Sequence, residues 1–184
     1  MRTDPAFEPI VTERLLLRRS IAGDAAEISS YRSDPNVHRT QGWERTDTAF
    51  VRAEIEEMVG RDPGAPGGWV QFSVCELDGG HLVGDVGLCP AEGEPGVIKA
   101  GYTISPAFQG KGYATEAVGA LIGYAFGTLG ADVVRAFADV DNTASIRVAE
   151  KVGMRHMETY VHTDEDGTWH GVRYEVAREE RPSG

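Results

Sequence analysis

The chain has 184 residues, with 18 Lys plus Arg against 29 Asp plus Glu for a net charge of −11. That length buries the core of one domain. The acidic balance argues against a nucleic-acid partner, which needs a basic surface, and suits a cationic partner such as an amine.

In chain order, residues 1–9 and 178–184 read as loose ends. Residues 15–19 form a strand. Residues 22–32 form a helix with Ala25, Ile28 and Tyr31 on one side, broken at Asp34-Pro35. Thr46 or Asp47 caps a second helix, whose apolar positions are Phe50, Val51, Ile55, Met58 and Val59. A loop rich in proline and glycine over 61–68 precedes three strands, at 69–77, 81–89 and 97–105. Val70, Phe72 and Val74 share one face of the first, and Asp78-Gly79-Gly80 marks the hairpin to the second. A helix over 112–129 buries Val118, Leu121, Ile122 and Ala125 and ends at Gly130. A strand at 133–139, a helix at 142–152 stopped by Gly153, and a hairpin of 154–162 with 168–177 across Asp164-Glu165-Asp166-Gly167 complete the chain. This order predicts an α+β fold with a mixed sheet. There is no repeat, low-complexity tract or interdomain linker, so 1–184 reads as a single domain with its core at about 12–178.

No apolar run is long enough to span a bilayer, and the N-terminus lacks a signal-peptide pattern, so a cytoplasmic chain without a membrane partner is expected. With Leu77 opposite Leu82, Cys75 faces Gly84 and Cys89 lies about 17 Å further along, beyond disulfide reach. Two free thiols are expected, with no metal-ligand spacing around either.

Between the strand at 97–105 and the helix at 112–129 lies Gln109-Gly110-Lys111-Gly112-Tyr113-Ala114. A glycine turn from strand to helix leaves backbone N–H groups unpaired at the positive end of the helix dipole, a site suited to pyrophosphate. Gly110 and Gly112 lack a Cβ and let the backbone approach the phosphates. A Walker loop is excluded, because Gly112 and Tyr113 follow Lys111 where Ser or Thr is needed. A dinucleotide fingerprint is excluded, because Thr115 stands where it needs glycine.

Gln109, Gly112 and Ala114 instead match Gln/Arg-x-x-Gly-x-Gly/Ala in register, which resembles the acyl-coenzyme A site of the GNAT superfamily of N-acetyltransferases. Three further segments resemble the same family in order: Glu13-Arg14-Leu15-Leu16-Leu17-Arg18, Gly101-Tyr102-Thr103-Ile104-Ser105-Pro106, and Asn142-x-x-Ser145 followed by Glu150-Lys151-Val152-Gly153-Met154. The similarity spans about 12–178 and is nearest the branch containing the ribosomal-protein-alanine N-acetyltransferases.

The resemblance implies a mixed, mostly antiparallel sheet with helices on both faces, splayed at the acyl-CoA site between the strands at 97–105 and 133–139. It implies acetyl-CoA as donor, an amine as acceptor and no metal; homodimers are frequent in the family. The N–H groups of Gly110, Lys111, Gly112, Tyr113, Ala114 and Thr115 would cradle the pyrophosphate beside Gln109. The edge at Tyr102, Thr103 and Ile104 would pair with the pantetheine arm. Asn142 would hydrogen-bond that arm while also capping its helix. Ser145 would protonate the departing thiolate.

Two positions depart from the family. Ala149 stands where many members carry a tyrosine acid, and Lys99 where the ribosomal branch often carries a glutamate base. Asp85 in Gly84-Asp85-Val86-Gly87 is then a candidate base, alongside Glu76, Asp139 and the histidines His38, His81, His162 and His170. Tyr31, His38, Arg39 and Trp43 would line the amine pocket. Lys99 would suit the carboxylate of a longer acyl group such as succinyl, and a sensor that binds acyl-CoA without turnover is the remaining reading.

Overall fold

In the computed structural model, which describes residues 1–39, 41, 43, 45–164 and 167–180, the alternating apolar runs assemble into an eight-stranded sheet. The strands are β1 (Ile10–Val11), β2 (Leu15–Arg19), β3 (Val70–Glu76), β4 (Leu82–Pro90), β5 (Val97–Ile104), β6 (Val133–Asp139), β7 (Arg155–Asp164) and β8 (Gly167–Ala177). Their order across the sheet is β1-β2-β3-β4-β5-β6-β8-β7. Only β5 and β6 pair in parallel; every other pair of neighbours is antiparallel.

The period-2 alternation of the strands supplies two apolar faces. On one, Leu15, Leu17, Phe72, Val86, Leu88 and Ile98 pack against Val118, Leu121, Ile122 and Ala125 of α4 (Tyr113–Gly127). On the other, Leu16, Cys75 and Leu82 meet Ile28 and Tyr31 of α1 (Ala25–Arg32) and Val51 and Ile55 of α3 (Thr48–Met58). Helices therefore cover both faces, as the resemblance implies. Asp47 caps α3, accepting the Phe50 N–H at 3.1 Å.

The feature that positions the site is where β5 and β6 part. They pair from Val97 opposite Val133 to Ala100 opposite Ala136 and no further. Yet β5 stays on β4 as far as Ile104, and β6 stays on β8 as far as Asp139. Each strand keeps one partner, so the twist of the sheet opens a gap between Gly101–Ile104 and Phe137–Asp139 without unravelling either.

Several sequence expectations need correction. The N-terminus is tied down: Arg2 N–H reaches Leu129 O at 2.6 Å, the Tyr124 hydroxyl donates to Asp4 at 2.7 Å, and the Phe7 ring stacks on Phe72 at 4.6 Å. Asp34-Pro35 ends α1 but also starts a short helix, α2 (Pro35–His38), because proline suits the first helical position and Asp34 accepts the Asn36 N–H at 2.8 Å. A register shift at Val74/Cys75 places Val74, not Cys75, opposite Gly84 and moves Cys75 two residues further, to a place opposite Leu82. Both cysteines are buried free thiols. Arg178–Glu180 forms a short 3-10 turn anchored by Arg178 N–H to Asp132 O at 2.9 Å. The remainder of that expected loose end, and Glu165-Asp166 of the last hairpin turn, lie outside the described residues. Among the described residues no helix is long and apolar enough to cross a membrane.

Candidate active site

The glycine turn is built from the end of β5. The Gln109 side chain turns back and donates from Nε2 to Ile104 O at 2.9 Å, which folds the turn against the strand. Gly110 and Gly112 adopt φ of 77° and 84°. A Cβ at Gly110 would meet nothing within 4 Å, and one at Gly112 only Arg14. The left-handed backbone, more than close packing, is what requires glycine here. α4 then starts without a side-chain cap. Its first bond runs from Glu116 N–H to Gly112 O at 3.1 Å. The N–H groups of Tyr113, Ala114 and Thr115 lie ahead of it, with no helical acceptor to reach.

These groups border an open cleft of about 690 Å3 between the start of α4 and α5 (Thr143–Lys151). Of the residues expected to hold the donor, Tyr102, Thr103, Ile104, Gln109, Gly110, Gly112, Tyr113, Ala114, Thr115, Asn142 and Ser145 all line it. Lys111 is not in the lining; its ammonium lies 4.7 Å from the Phe108 ring and 5.9 Å from that of Tyr113. The sequence reading missed Gln41 and the cations Arg147 and Lys151, and it assigned Arg39 to the amine pocket, whereas Arg39 lines this cleft. Arg147 and Lys151 are four apart on α5 and share a helical face, a signal that was available. Arg39, Arg147 and Lys151 are exposed and have no carboxylate partner among the described residues. Against these three cations the lining carries one carboxylate, the exposed Asp141, so in a chain of −11 the cleft is on balance cationic.

The edge of β5 in the gap has a defined polarity. Gln41 Nε2 donates to Tyr102 O at 3.4 Å, and Gln109 takes Ile104 O. Both backbone groups of one strand residue point the same way, so Tyr102 and Ile104 face the gap. Thr103 between them turns toward β4, opposite Asp85. Across the gap, Asn142 caps α5, its Oδ1 accepting the Ser145 N–H at 3.1 Å. The Asn142 amide NH2 remains to donate into the cleft. The Tyr102 hydroxyl spans the gap and donates to Ser145 O at 3.0 Å. Ala149 lies beneath, in a cavity of about 20 Å3 that Tyr102 and Ser145 also line. Burial pushes the Tyr102 phenol up to about 12.

The candidate acceptor residues lie on the opposite face of the sheet. The Tyr31 hydroxyl donates to Asp85 Oδ2, and Arg32 Nη2 and Gln71 Nε2 each approach Asp85 Oδ1 at 3.3 Å. Arg32 also reaches Glu54 at 3.2 Å and stacks 4.6 Å from the Trp43 ring. Asp85 is 3% exposed and Arg32 1%, so this is an interior network, with the half-buried Glu54, Trp43 and Gln71 toward its rim. Burial, and next the Asp85 charge, holds the Tyr31 phenol well above its usual range. Burial also raises the Glu54 carboxyl. Tyr31, Trp43 and Asp85 are thus brought together through Arg32 and Glu54, two residues the sequence did not single out. His38 is exposed at the end of α2. Lys99 pairs with Cys89 and Arg135 before the gap opens, and neither it nor Asp85 lines the cleft beside α4 and α5. Among the described residues no group of His, Cys, Asp and Glu is arranged to hold a metal.

Comparison with known proteins gives consistent likenesses. The acetyltransferase (GNAT) domain family matches residues 14–155. The uncharacterised N-acetyltransferase p20 of Bacillus licheniformis is 30% identical over 150 residues, 81% of this chain and 83% of that protein. The crystal structure of a GNAT-family acetyltransferase from Bacillus anthracis superposes with a TM-score of 0.83 at 27% identity, covering 94% of this chain and 100% of that one. RimL, a ribosomal L7/L12 α-N-protein acetyltransferase in complex with coenzyme A, shares the fold with a TM-score of 0.79 at 17% identity, over 95% of this chain and 100% of that one.

Proposed function

The chain belongs to the GNAT family of acetyltransferases and is an acyltransferase, and from that premise we propose that it transfers the acetyl group of acetyl-CoA to a primary amine by direct attack on the thioester. The acceptor is a peptide N-terminus or a small-molecule amine. The observation that carries this reading is the parting of β5 and β6 after Ala100 and Ala136 beside an uncapped helix start. An extended amide-bearing arm fits the first, and its pyrophosphate fits the second.

In this reading the N–H groups from Gly110 to Thr115 hold the pyrophosphate, and Arg147, Lys151 and Arg39 neutralise charge along the cleft. The pantetheine arm adds as a strand to the Tyr102 and Ile104 edge, displacing the Gln41 and Gln109 amides from their carbonyls, and Asn142 donates to it from the facing helix. The amine approaches from the Trp43 side, where Glu54 offers the cation a partner. Asp85 holds Tyr31 and Arg32 in place there, since its oxygens are already engaged. The neutral amine attacks the carbonyl carbon, and an edge N–H of β5 takes the oxyanion. Ser145, at the first turn of α5, hydrogen-bonds the sulfur. The position of Lys99 outside the donor cleft favours acetyl over a dicarboxylic acyl group.

Thermal unfolding with acetyl-, succinyl- and free coenzyme A tests the donor site. Ligand at a hundredfold its Kd adds about 2.7 kcal/mol, a shift of roughly 5–10 °C. Acetyl-CoA is expected to give it, and thiol release across a panel of amines is expected to follow. No shift with any donor at millimolar concentration would end the acyltransferase reading.

A further inference from the structure

We propose that Tyr102 is the proton donor to the coenzyme A sulfur, supplying from β5 the acid that Ala149 leaves α5 without. This rests on the donor site proposed above.

Tyr102 is the side chain that crosses the splay. Its backbone lies on the gap edge of β5, and its hydroxyl ends at Ser145 O, 3.0 Å away, at the first turn of the helix on the other side. It lines both the donor cleft and the small cavity beneath it, and Ala149 lines that same cavity. The methyl group at 149 leaves the space into which the phenol reaches; a large side chain there would fill it. A thioester held against the gap edge of β5 brings its sulfur to the hydroxyl of the residue on that edge. The Tyr102 O–H turns about its C–O bond between the Ser145 carbonyl and the sulfur, so no side-chain rearrangement is needed.

Proton affinities decide between the two hydroxyls at this place. A thiol titrates near ~8.5 and a phenol near ~10. An aliphatic alcohol such as Ser145 holds its proton about as tightly as water, at ~15.7. Transfer from serine to a thiolate is uphill by about seven pKa units, and from an ordinary phenol by less than two. Burial raises the Tyr102 phenol to about 12, which keeps it protonated until the thiolate forms and still leaves it far closer than serine.

The step balances as follows. The amine nitrogen forms the new C–N bond. Collapse of the tetrahedral intermediate breaks the C–S bond, and the pair goes to sulfur. The Tyr102 proton goes to that pair, giving the free thiol. The phenolate then takes back, through water, the proton lost by the attacking nitrogen. An amine and a thioester become an amide and a thiol, with no other reactant.

The test is titration of the thiol of bound coenzyme A, followed by NMR at the isotope-labelled carbon next to sulfur, in wild type, Tyr102→Phe and Ser145→Ala, and with 3,5-difluorotyrosine placed at 102. A phenol donating to the thiolate lowers the thiol pKa. Tyr102→Phe is expected to raise it by about one unit, the more acidic difluorotyrosine to lower it further, and Ser145→Ala, which removes the weaker donor to the sulfur, to raise it by less than Tyr102→Phe does. In turnover, Tyr102→Phe should lower kcat at least about tenfold with the donor KM unchanged. An unchanged thiol pKa in both Tyr102 variants, or the whole effect appearing in Ser145→Ala, overturns the assignment while leaving the donor site standing. The titration needs no acceptor amine. Coenzyme A that fails to bind wild type at all would overturn the donor site and this assignment together.

Discussion

Arg14, just before β2, pairs with Glu116 in the first turn of α4 at 2.6 Å. The same guanidinium donates to Lys111 O at 3.0 Å, and Glu116 also accepts the Thr12 hydroxyl at 2.6 Å. The opening strand therefore holds the glycine turn from outside. Arg14→Ala is expected to leave the fold intact and weaken coenzyme A only modestly, by about fivefold or less, since solvent screens an exposed pair. Calorimetric titration reads this. An unchanged Kd would show that the glycine backbone alone sets the turn.

Charge along the cleft gives a second expectation. Arg147 and Lys151 lie on one face of α5 and border the cleft proposed for the donor. Removing both, as Arg147→Ala with Lys151→Ala, should weaken coenzyme A at least about tenfold at low salt. It should also flatten the loss of affinity with rising ionic strength. Binding that keeps its wild-type salt dependence in the double variant would place the anion elsewhere.

The glycine-turn half of the candidate site was legible from sequence because it is made of backbone. Gly110 and Gly112 announce left-handed turns, and Asn142 with Ser145 three residues on announces a cap, so local rules suffice. The acceptor half was not legible in this way. Asp85, on β4, is joined by Tyr31 and Arg32 from α1 and Gln71 from β3. No spacing rule connects those positions. The same holds at the N-terminus, where a chain end that looks loose is fixed by Phe7 on Phe72. Tyr102 shows both sides of this. Its place on the edge strand was readable, but the reach of its hydroxyl to Ser145 depends on how far β5 and β6 diverge.

Asp85 carries a prediction about stability. It is the buried counter-charge of Arg32, which Glu54 reaches only from the rim. Asp85→Ala strands a buried guanidinium and should cost about 3–5 kcal/mol in denaturant unfolding. Tyr31→Phe removes one donor to the same carboxylate and should cost about 1–2 kcal/mol. If Asp85→Ala unfolds as wild type does but loses turnover, Asp85 acts as a base and not as an anchor.

Acid stability should depend on Asp24. This carboxylate is 7% exposed, and burial works against its charge. The opposing contacts win: Arg18 donates two bonds at 2.7 and 2.8 Å, the Ile21 N–H one at 3.0 Å and the Ser73 hydroxyl one at 2.7 Å. Its pKa is accordingly lowered in the folded state. A depressed carboxyl stabilises the fold above its unfolded pKa of about 3.9, and that contribution is lost as pH falls through the folded value. Asp24→Asn should cost roughly 3 kcal/mol at neutral pH. The variant should be less sensitive to acid, so the gap from wild type narrows below about pH 4. Urea unfolding of both proteins across this range is the measurement. A gap that stays constant with pH would show that the contacts of Asp24 stabilise the fold without its charge.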